Sequence, residues 1–189
     1  MLMNIDDEHF EYAHRALRWL AFSVRPLSLE EAAEAVIMKP GYSSLCPDDR
    51  LFDSRAILTI CPSLVILTEE KKVQLAHYSV KEYLLSDRIK ISSASRFSIL
   101  EIPANSVIAE ACLAYLLMLD QPDSLSAQSF QDYPLLEYAA TYWFEHARCA
   151  IDVNTPNEIA RLSVKLVRRR ARRFSTGCAY MNLTGHSNL

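Results

Sequence analysis

The chain has 189 residues, enough for one sizeable domain or two small ones, and with 50% hydrophobic residues it can bury a core rather than remain a disordered tail. Only three glycines occur, at positions 41, 177 and 185, which excludes a Gly-rich phosphate loop and the Gly-x-Ser-x-Gly elbow of serine hydrolases. The formal charge of −3 is uneven, because residues 161–189 hold seven bases and no acids, which leaves 13 bases, 23 acids and a charge of −10 on the other residues.

The first predicted helix runs from about Glu8 to Val24. Its apolar residues recur at helical spacing on one face: Phe10, Ala13, Ala16, Leu17, Trp19, Leu20 and Ala21. Glu11, Arg15 and Arg18 fall on the opposite side, which is predicted to face water. Pro26 ends the helix, since the residue before a proline is driven out of helical geometry.

A second helix is predicted to begin at Ser28, whose spacing to Glu31 is that of a capping box. Its predicted buried stripe consists of Leu29, Ala32, Ala33 and Val36. Glu30, Glu31 and Glu34 are assigned to the exposed side. The following stretch, Lys39–Asp49, contains two prolines, a glycine and paired aspartates and is predicted to be a surface loop.

A short third helix over Leu51–Ile60 precedes a predicted hairpin. Its strands are Leu64–Thr68 and Lys72–Ala76, joined by the charged turn Glu69–Lys71. Three helices followed by a two-stranded hairpin is the order of a winged-helix domain, which we assign to residues 8–90.

The remaining pattern predicts helices only. Ser79, with Glu82 in a second capping box, is predicted to open a helix after the hairpin. A nearly all-apolar helix follows over Asn105–Leu119, and an entirely apolar helix must be buried against other helices.

After a predicted loop over Gln121–Asp132, Pro134 is placed at the start of a helix through Arg148. Its inward residues are predicted to be Leu135, Tyr138, Ala139, Tyr142 and Trp143. A last helix runs from Pro156 to about Val167. The fold class is therefore mainly α: a winged helix, then an α-helical array over residues 104–166, and a basic, polar tail at 167–189 that we expect to be disordered.

The sequence offers no reactive constellation. The five cysteines are odd in number and scattered, as expected for reduced thiols, with Cys112 a small core residue. No histidines and cysteines cluster at zinc-ligand spacing. Tyr142 and His146 lie one helical turn apart, but such a pair is more often structural. We predict no catalytic, cofactor or metal residues, no signal peptide, and no membrane span, because the apolar run Val107–Leu119 is too short.

Nucleic-acid recognition is also disfavoured. The third helix, which reads DNA in many winged-helix proteins, carries a single arginine, Arg55, and one acid, whereas groove binding needs several basic or amide side chains. The acidic body repels phosphates. The arginine cluster at 168–173 leaves one alternative open, a stand-alone winged-helix nucleic-acid binder that uses its basic tail.

Four stretches resemble fungal NACHT proteins that carry ankyrin repeats, in the family's order: Arg15-Ala-Leu-Arg-Trp-Leu-Ala-Phe-Ser23, Arg25-Pro-Leu-Ser-Leu-Glu-Glu31, Leu75-Ala-His-Tyr-Ser-Val-Lys-Glu-Tyr-Leu-Leu85 and Tyr138-Ala-Ala-Thr-Tyr-Trp-Phe-Glu-His-Ala-Arg148. Ile108-Ala-Glu-Ala-Cys-Leu-Ala-Tyr-Leu116 is a weaker fifth match. The first and third stretches resemble the winged-helix domain of GPI inositol-deacylase-like proteins. The resemblance covers roughly residues 8–165 and implies no deacylase chemistry.

In this family the segment lies between a NACHT nucleotide-binding domain and ankyrin repeats. The resemblance therefore implies a cytoplasmic, non-catalytic signalling module of an NLR-like (STAND) protein. Its expected partners are those two domains, neither of which is in this sequence. The composition changes beyond about Leu166, which favours a fragment or truncated member of the family.

Six residues are the candidate interaction sites: His77, Tyr78, Lys81, Glu82, Trp143 and His146. For His77 two interpretations remain, a contact to the nucleotide-binding domain or, the favoured one, a hydrogen bond that closes the turn between strand and helix. Trp143 is more often a core aromatic than a binding anchor.

Overall fold

The computed structural model describes residues 2–39, 41, 53–119, 132–150 and 158–183, with side chains in the last helix to residue 169 and at Ala171. Within these ranges the chain forms eight α-helices and three short β-strands. The mainly α fold class, a winged helix followed by helices, is confirmed. The two predicted loops over 39–49 and 121–132, and the first residues of the predicted third helix, fall almost wholly outside the described residues.

The first half contains α1 (Phe10–Phe22), β1 (Leu27–Ser28), α2 (Leu29–Ile37), α3 (Ala56–Ile60), β2 (Val65–Leu67), β3 (Lys72–Leu75), α4 (Tyr78–Leu85) and α5 (Asp87–Lys90). The strands form one antiparallel sheet in the order β1-β3-β2, with Leu27 opposite Val73 and Val65 opposite Leu75. The hairpin is therefore confirmed. Strand β1 was not predicted, because two residues cannot display the alternation that identifies a strand.

The capping box at the start of α2 is confirmed. The Glu31 backbone N–H donates to Ser28 Oγ over 3.1 Å, and the Ser28 N–H donates to a Glu31 carboxylate oxygen over 2.7 Å. The predicted exposed sides of α1 and α2 are wrong at three positions, since Arg15, Glu31 and Glu34 are buried. Each has a polar partner within the fold; Arg15 Nε, for example, donates to the Val36 carbonyl over 2.6 Å.

The cap of the helix after the hairpin lies two residues earlier than predicted. His77, not Ser79, is the N-cap of α4, and its Nδ1 accepts from the Ser79 backbone N–H over 3.2 Å. Ser79 lies inside the helix, so the second predicted capping box is wrong. The turn-closing hydrogen bond favoured for His77 is the interaction that the structure shows.

The second half contains α6 (Glu101–Leu119), α7 (Leu136–Cys149) and α8 (Glu158–Leu183). Helix α6 begins a turn earlier than predicted, because Pro103 is tolerated in the first turn. Its 19 residues have the length and composition of a membrane span, but 67% of its most apolar window is buried inside the fold. It packs against α7 and α8 and also contacts α1, which explains why it is apolar on every side.

Helix α8 extends beyond the predicted end near Val167, into the tail that we predicted to be disordered. The backbone stays helical to Leu183, through the arginine cluster at 168–173. Arginine and alanine have high helix propensity, so a basic composition does not by itself end a helix. Residues 184–189 lie outside the described part of the chain.

The two halves share one continuous hydrophobic core. A single cluster of buried residues extends from Leu2 through α1, α2 and the sheet to α6, α7 and finally Leu166 of α8. Trp19, Tyr138 and Tyr115 lie within it, and the candidate sites are built around this shared core.

Candidate functional site

Polar groups from both halves meet at one place, which we call the joint. It consists of the Val24 backbone N–H and the side chains of Arg25 and Glu31 from the first half, and the side chains of Asn105, Tyr138, Tyr142 and His146 from the second. Arg25 binds Glu31 with two parallel hydrogen bonds of 2.8 and 2.6 Å. Burial acts to raise the pKa of Glu31, but the hydrogen bonds from Arg25 and Ser28 outweigh it, and the pKa is lowered. The capping carboxylate of α2 thus also fixes Arg25.

The Arg25 guanidinium lies over two aromatic rings of α7. Its central carbon is 5.2 Å from the ring centroid of Tyr138 and 5.8 Å from that of Tyr142. A guanidinium over aromatic faces is attracted by the ring quadrupoles while its N–H groups remain available to a carboxylate. Trp19 of α1 meets the Tyr138 ring edge-on at 5.8 Å, so apolar packing continues beneath the cation.

A chain of hydrogen bonds runs through the joint. The Val24 backbone N–H donates to Tyr138 Oη over 3.0 Å, and Tyr138 Oη is 2.8 Å from His146 Nε2. His146 Nδ1 is 2.8 Å from Asn105 Oδ1, while Asn105 Nδ2 donates to the Glu101 carbonyl. Because Asn105 Oδ1 only accepts, the proton of neutral His146 lies on Nδ1, and Nε2 accepts from the tyrosine hydroxyl.

Burial holds both titratable members of this chain in their neutral forms. Burial lowers the pKa of His146 to about 4 and raises the pKa of Tyr138 to about 12. The His146 side chain has a relative exposure of only 1%. At neutral pH every group in the chain therefore has the protonation state that the hydrogen bonds require.

A second hydrogen bond joins the halves deeper in the core. Tyr115 of α6 donates to a carboxylate oxygen of Glu34 in α2 over 3.0 Å, and both residues are buried. This bond accounts for the burial of a glutamate predicted to face water. The first and second halves are thus linked by polar contacts from the segment after α1 and from α2 to α6 and α7.

Four of the six predicted interaction residues lie together on the surface, at the N-terminal end of α4. We call His77, Tyr78, Lys81 and Glu82 the α4 face; all four are exposed, Tyr78 by 70%. The rings of His77 and Tyr78 are 4.3 Å apart, and Lys81 Nζ lies 4.8 Å from the Phe22 ring centroid.

A cleft of about 350 Å³ opens on α4. Its walls are largely apolar: Leu2, Met3, Leu64, Val80, Tyr83 and Ala94, together with two serines, Ser79 and Ser93. The cleft residues of α4 are Ser79, Val80 and Tyr83, which lie on the side of the helix opposite the α4 face, since residues follow one another at about 100°. The exposed aromatic and charged groups of the α4 face have the composition of a protein-contact surface.

The other two candidates lie elsewhere. Trp143 is half-buried against the core, and its indole meets Phe144 edge-on at 5.7 Å. His146 is buried in the joint and inaccessible to a partner. Sequence reasoning missed Arg25, Glu31 and Asn105 as joint residues. The available signal was the bidentate-capable pair Arg25 and Glu31 beside a proline turn; nothing in the sequence located Asn105 opposite His146.

The described residues offer little for chemistry. Within the described ranges no three histidine, cysteine or acidic residues are placed to hold a metal ion. Cys61 and Cys112 are buried, and burial raises the pKa of both thiols, which makes them poor nucleophiles. Of the side chains described on α3, Ile57 and Ile60 are buried and Thr59 is exposed, so this helix is used for packing.

Comparison with known proteins agrees with this architecture. Residues 2–100 match the family described as GPI inositol-deacylase, winged helix domain. The chain is also 34% identical over 188 residues to the azaphilone pigments biosynthesis cluster protein L of Monascus ruber. That similarity covers 94% of this chain but only 38% of the Monascus protein, so the chain spans less than two-fifths of its relative's length. No solved structure matches the chain.

Winged-helix domains bind and position rather than catalyse. The sheet, the helix order and the matched range agree, and the match covers more than half of the chain. The chain therefore belongs to the GPI inositol-deacylase winged-helix domain family.

Proposed function

We propose that this chain is a non-catalytic, cytoplasmic regulatory module of a NACHT-type signalling protein, in which it couples a nucleotide switch to a repeat sensor. The observation that carries the proposal is the contrast between the joint, whose polar groups are all satisfied internally, and the α4 face, whose groups are exposed. The joint makes the two halves move as one rigid arm, and the α4 face is the surface by which this arm docks on a partner.

The joint supports the rigid arm. Two halves that share one core and two buried hydrogen-bonded links have no intervening hinge on which to bend independently. Interfaces between mobile domains are more polar and hydrated than this one. A displacement imposed at the winged helix is therefore carried to the helices that precede the repeats in related proteins.

The α4 face supports docking on a nucleotide-binding domain. His77, Tyr78 and Lys81 provide an imidazole, a phenol and an ammonium group on one exposed helix start. Such groups suit an interface that forms and dissociates, because exposed polar contacts add specificity while contributing little binding free energy that dissociation must overcome.

Two linked experiments test this function. Sequencing of the full transcript should reveal a phosphate loop, Gly-x-x-x-x-Gly-Lys followed by Ser or Thr, encoded in the same frame. In the encoded protein, hydrogen exchange of the α4 backbone should differ between the ADP-bound and ATP-analogue-bound states. The double substitution Tyr78→Ser, Lys81→Ser should remove that difference, whereas Ile91→Ser, at a 90% exposed position away from the α4 face, should not. A transcript without a phosphate loop would contradict the proposal.

The second candidate function, nucleic-acid binding, is favoured by one observation, the exposed basic residues Arg161, Lys165 and Arg168 of α8. A titration of labelled duplex DNA at increasing salt separates the two functions. Phosphate contacts would give affinity that falls steeply with salt concentration. We expect only weak binding at physiological ionic strength, because α3 carries few groups able to contact bases.

A further inference from the structure

Helix α8 has two apolar stripes but packs with only one of them. Leu162 and Leu166 are buried against α6, and Arg169 donates to the Leu117 carbonyl at the same interface. On the other side, Val164 is 46% exposed and Val167 is 64% exposed. At about 100° per residue the centres of the two stripes are separated by roughly 150°, so no single neighbour covers both.

The outer stripe has the spacing of a coiled-coil seam. Ala160, Val164, Val167 and Ala171 follow one another at intervals of four, three and four residues. These are the alternating d and a positions of a heptad. The sequence continues the spacing with Phe174, Cys178 and Met181, on backbone that is helical to Leu183. About three heptads are the least that a stable seam needs.

The flanks of this stripe are basic. Arg161 and Arg168 occupy the e positions, which lie beside the seam and face the partner helix. Lys165 lies one residue beyond the a position, and all three are exposed. Arg161 Nε also donates to Glu158 within α8 over 2.7 Å, which keeps the side chain extended along the helix. In an antiparallel second copy the e positions face one another, so Arg161 and Arg168 would bring like charges together.

We propose that the outer face of α8, formed by Ala160, Arg161, Val164, Val167, Arg168 and Ala171, binds an acidic amphipathic α-helix of another protein in a two-stranded coiled coil. The partner's apolar heptad residues cover the two valines, and glutamates at its flanking positions meet the arginines. This proposal is independent of the α4 face and of the nucleotide switch.

The test uses the full chain and two synthetic helical probes of about four heptads, with leucine and valine at the seam positions. One probe carries glutamate at its flanking positions and the other lysine. We expect the glutamate probe to bind, by fluorescence anisotropy, at least about tenfold more tightly than the lysine probe. The variant Arg161→Glu, Arg168→Glu should reverse that preference, since only the sign of the flanking charge changes.

The seam itself is tested by Val164→Ser, Val167→Ser, which should weaken binding of the glutamate probe by about tenfold or more. The matched control Ile91→Ser removes one exposed aliphatic side chain elsewhere and should leave binding unchanged. Because both valines are exposed, circular dichroism and thermal melting of the variant should match the parent.

Four results would overturn the proposal. They are no binding of either probe, equal binding of both probes, binding insensitive to the valine substitutions, and a stable dimer of the parent chain in analytical ultracentrifugation. A last experiment measures binding of the parent chain and of the valine variant to vesicles that contain anionic lipid. If the valine substitutions abolish vesicle binding while the glutamate probe does not bind, the face is a membrane-surface helix instead.

Discussion

His146 and His77 belong to clusters of similar composition, but the first cluster is buried and the second is exposed. His146 lies in the joint with both ring nitrogens hydrogen-bonded to Tyr138 and Asn105. His77 lies on the α4 face, where its Nδ1 caps a helix and its ring stacks beside the exposed Tyr78. Both are histidines next to tyrosines, and both were candidates for contact with a partner.

Burial separates them. In the joint, desolvation fixes the protonation state of His146, and each polar group has one geometry in which its neighbours are satisfied. On the α4 face water can replace any contact, so the same residue types cost little to uncover and remain available to another molecule. Residue type and spacing therefore identify a polar cluster, but only the surrounding core determines whether it holds the fold together or docks a partner.

The largest loss of unfolding free energy is expected when the core beneath the joint is disrupted. Trp19→Ala empties space against Tyr138, and Leu17→Asp places a charge in a fully buried site. Each should cost about 3–5 kcal/mol of unfolding free energy. Urea denaturation measures the loss. Unchanged midpoints for both variants would show that α1 is not part of the core.

Acid should weaken the joint. His146 has a folded-state pKa of about 4, below the ordinary value of 6.5, so the unfolded chain binds the proton first. Its contribution is complete above about pH 6.5 and is lost as the pH falls toward 4, by up to about 3 kcal/mol at ~1.4 kcal/mol per pKa unit.

Unfolding free energies measured across this pH range test the effect. His146→Gln should flatten the slope, though not completely, because burial and the neighbouring Arg18 also lower the pKa of His14. Equal slopes in the parent and the His146 variant would assign the acid sensitivity to other groups.

The Arg25–Glu31 pair should show stronger coupling than an exposed pair. Glu31 is buried, so Arg25→Met leaves an unpaired carboxylate and should cost about 1–3 kcal/mol. A double-mutant cycle with Glu31→Gln isolates the coupling energy. The cycle on Arg148 and Glu145, which lie on the surface 2.7 Å apart, should give only about 0.2–1 kcal/mol. Equal coupling in the two cycles would remove the special status of the joint.

The smallest effects are expected on the α4 face. Tyr78→Ser should change the unfolding free energy by no more than about 0.5 kcal/mol, since the side chain is largely exposed. His77→Ala loses a helix cap and should cost about 1 kcal/mol at most. Thermal melting measures both. A larger loss from Tyr78→Ser would mean that this surface contributes to the fold.

Local rules predicted much of the first half. The spacing of Ser28 and Glu31 predicted the capping box, and alternation of β-branched residues predicted the hairpin. These features depend on neighbours within a few residues. The rules failed for Arg15, Glu31 and Glu34, because helical periodicity marks polar residues as exposed and does not show that Tyr115 or a distant backbone carbonyl will satisfy them.

The candidate site was predicted in part. Four of the six candidate residues fall within six positions of sequence and are exposed at one helix start, and their contact with a partner stays a prediction. The joint was not predicted. It depends on Val24 meeting Tyr138 and on Asn105 meeting His146, pairs separated by 114 and 41 residues. Such contacts follow from the tertiary arrangement of α1, α6 and α7, which periodicity does not supply.

We expect the joint to make the two halves one rigid unit that unfolds cooperatively. Each half contains one tryptophan, Trp19 in α1 and Trp143 in α7, which permits a direct measurement. In the variant Trp143→Phe the fluorescence of Trp19 reports on the first half, and in Trp19→Phe the fluorescence of Trp143 reports on the second. Urea unfolding of each variant is followed by this fluorescence and, for the whole chain, by far-ultraviolet circular dichroism. We predict coincident transitions in each variant. Fluorescence midpoints separated from the circular-dichroism midpoint would contradict the claim, because the halves would then unfold independently.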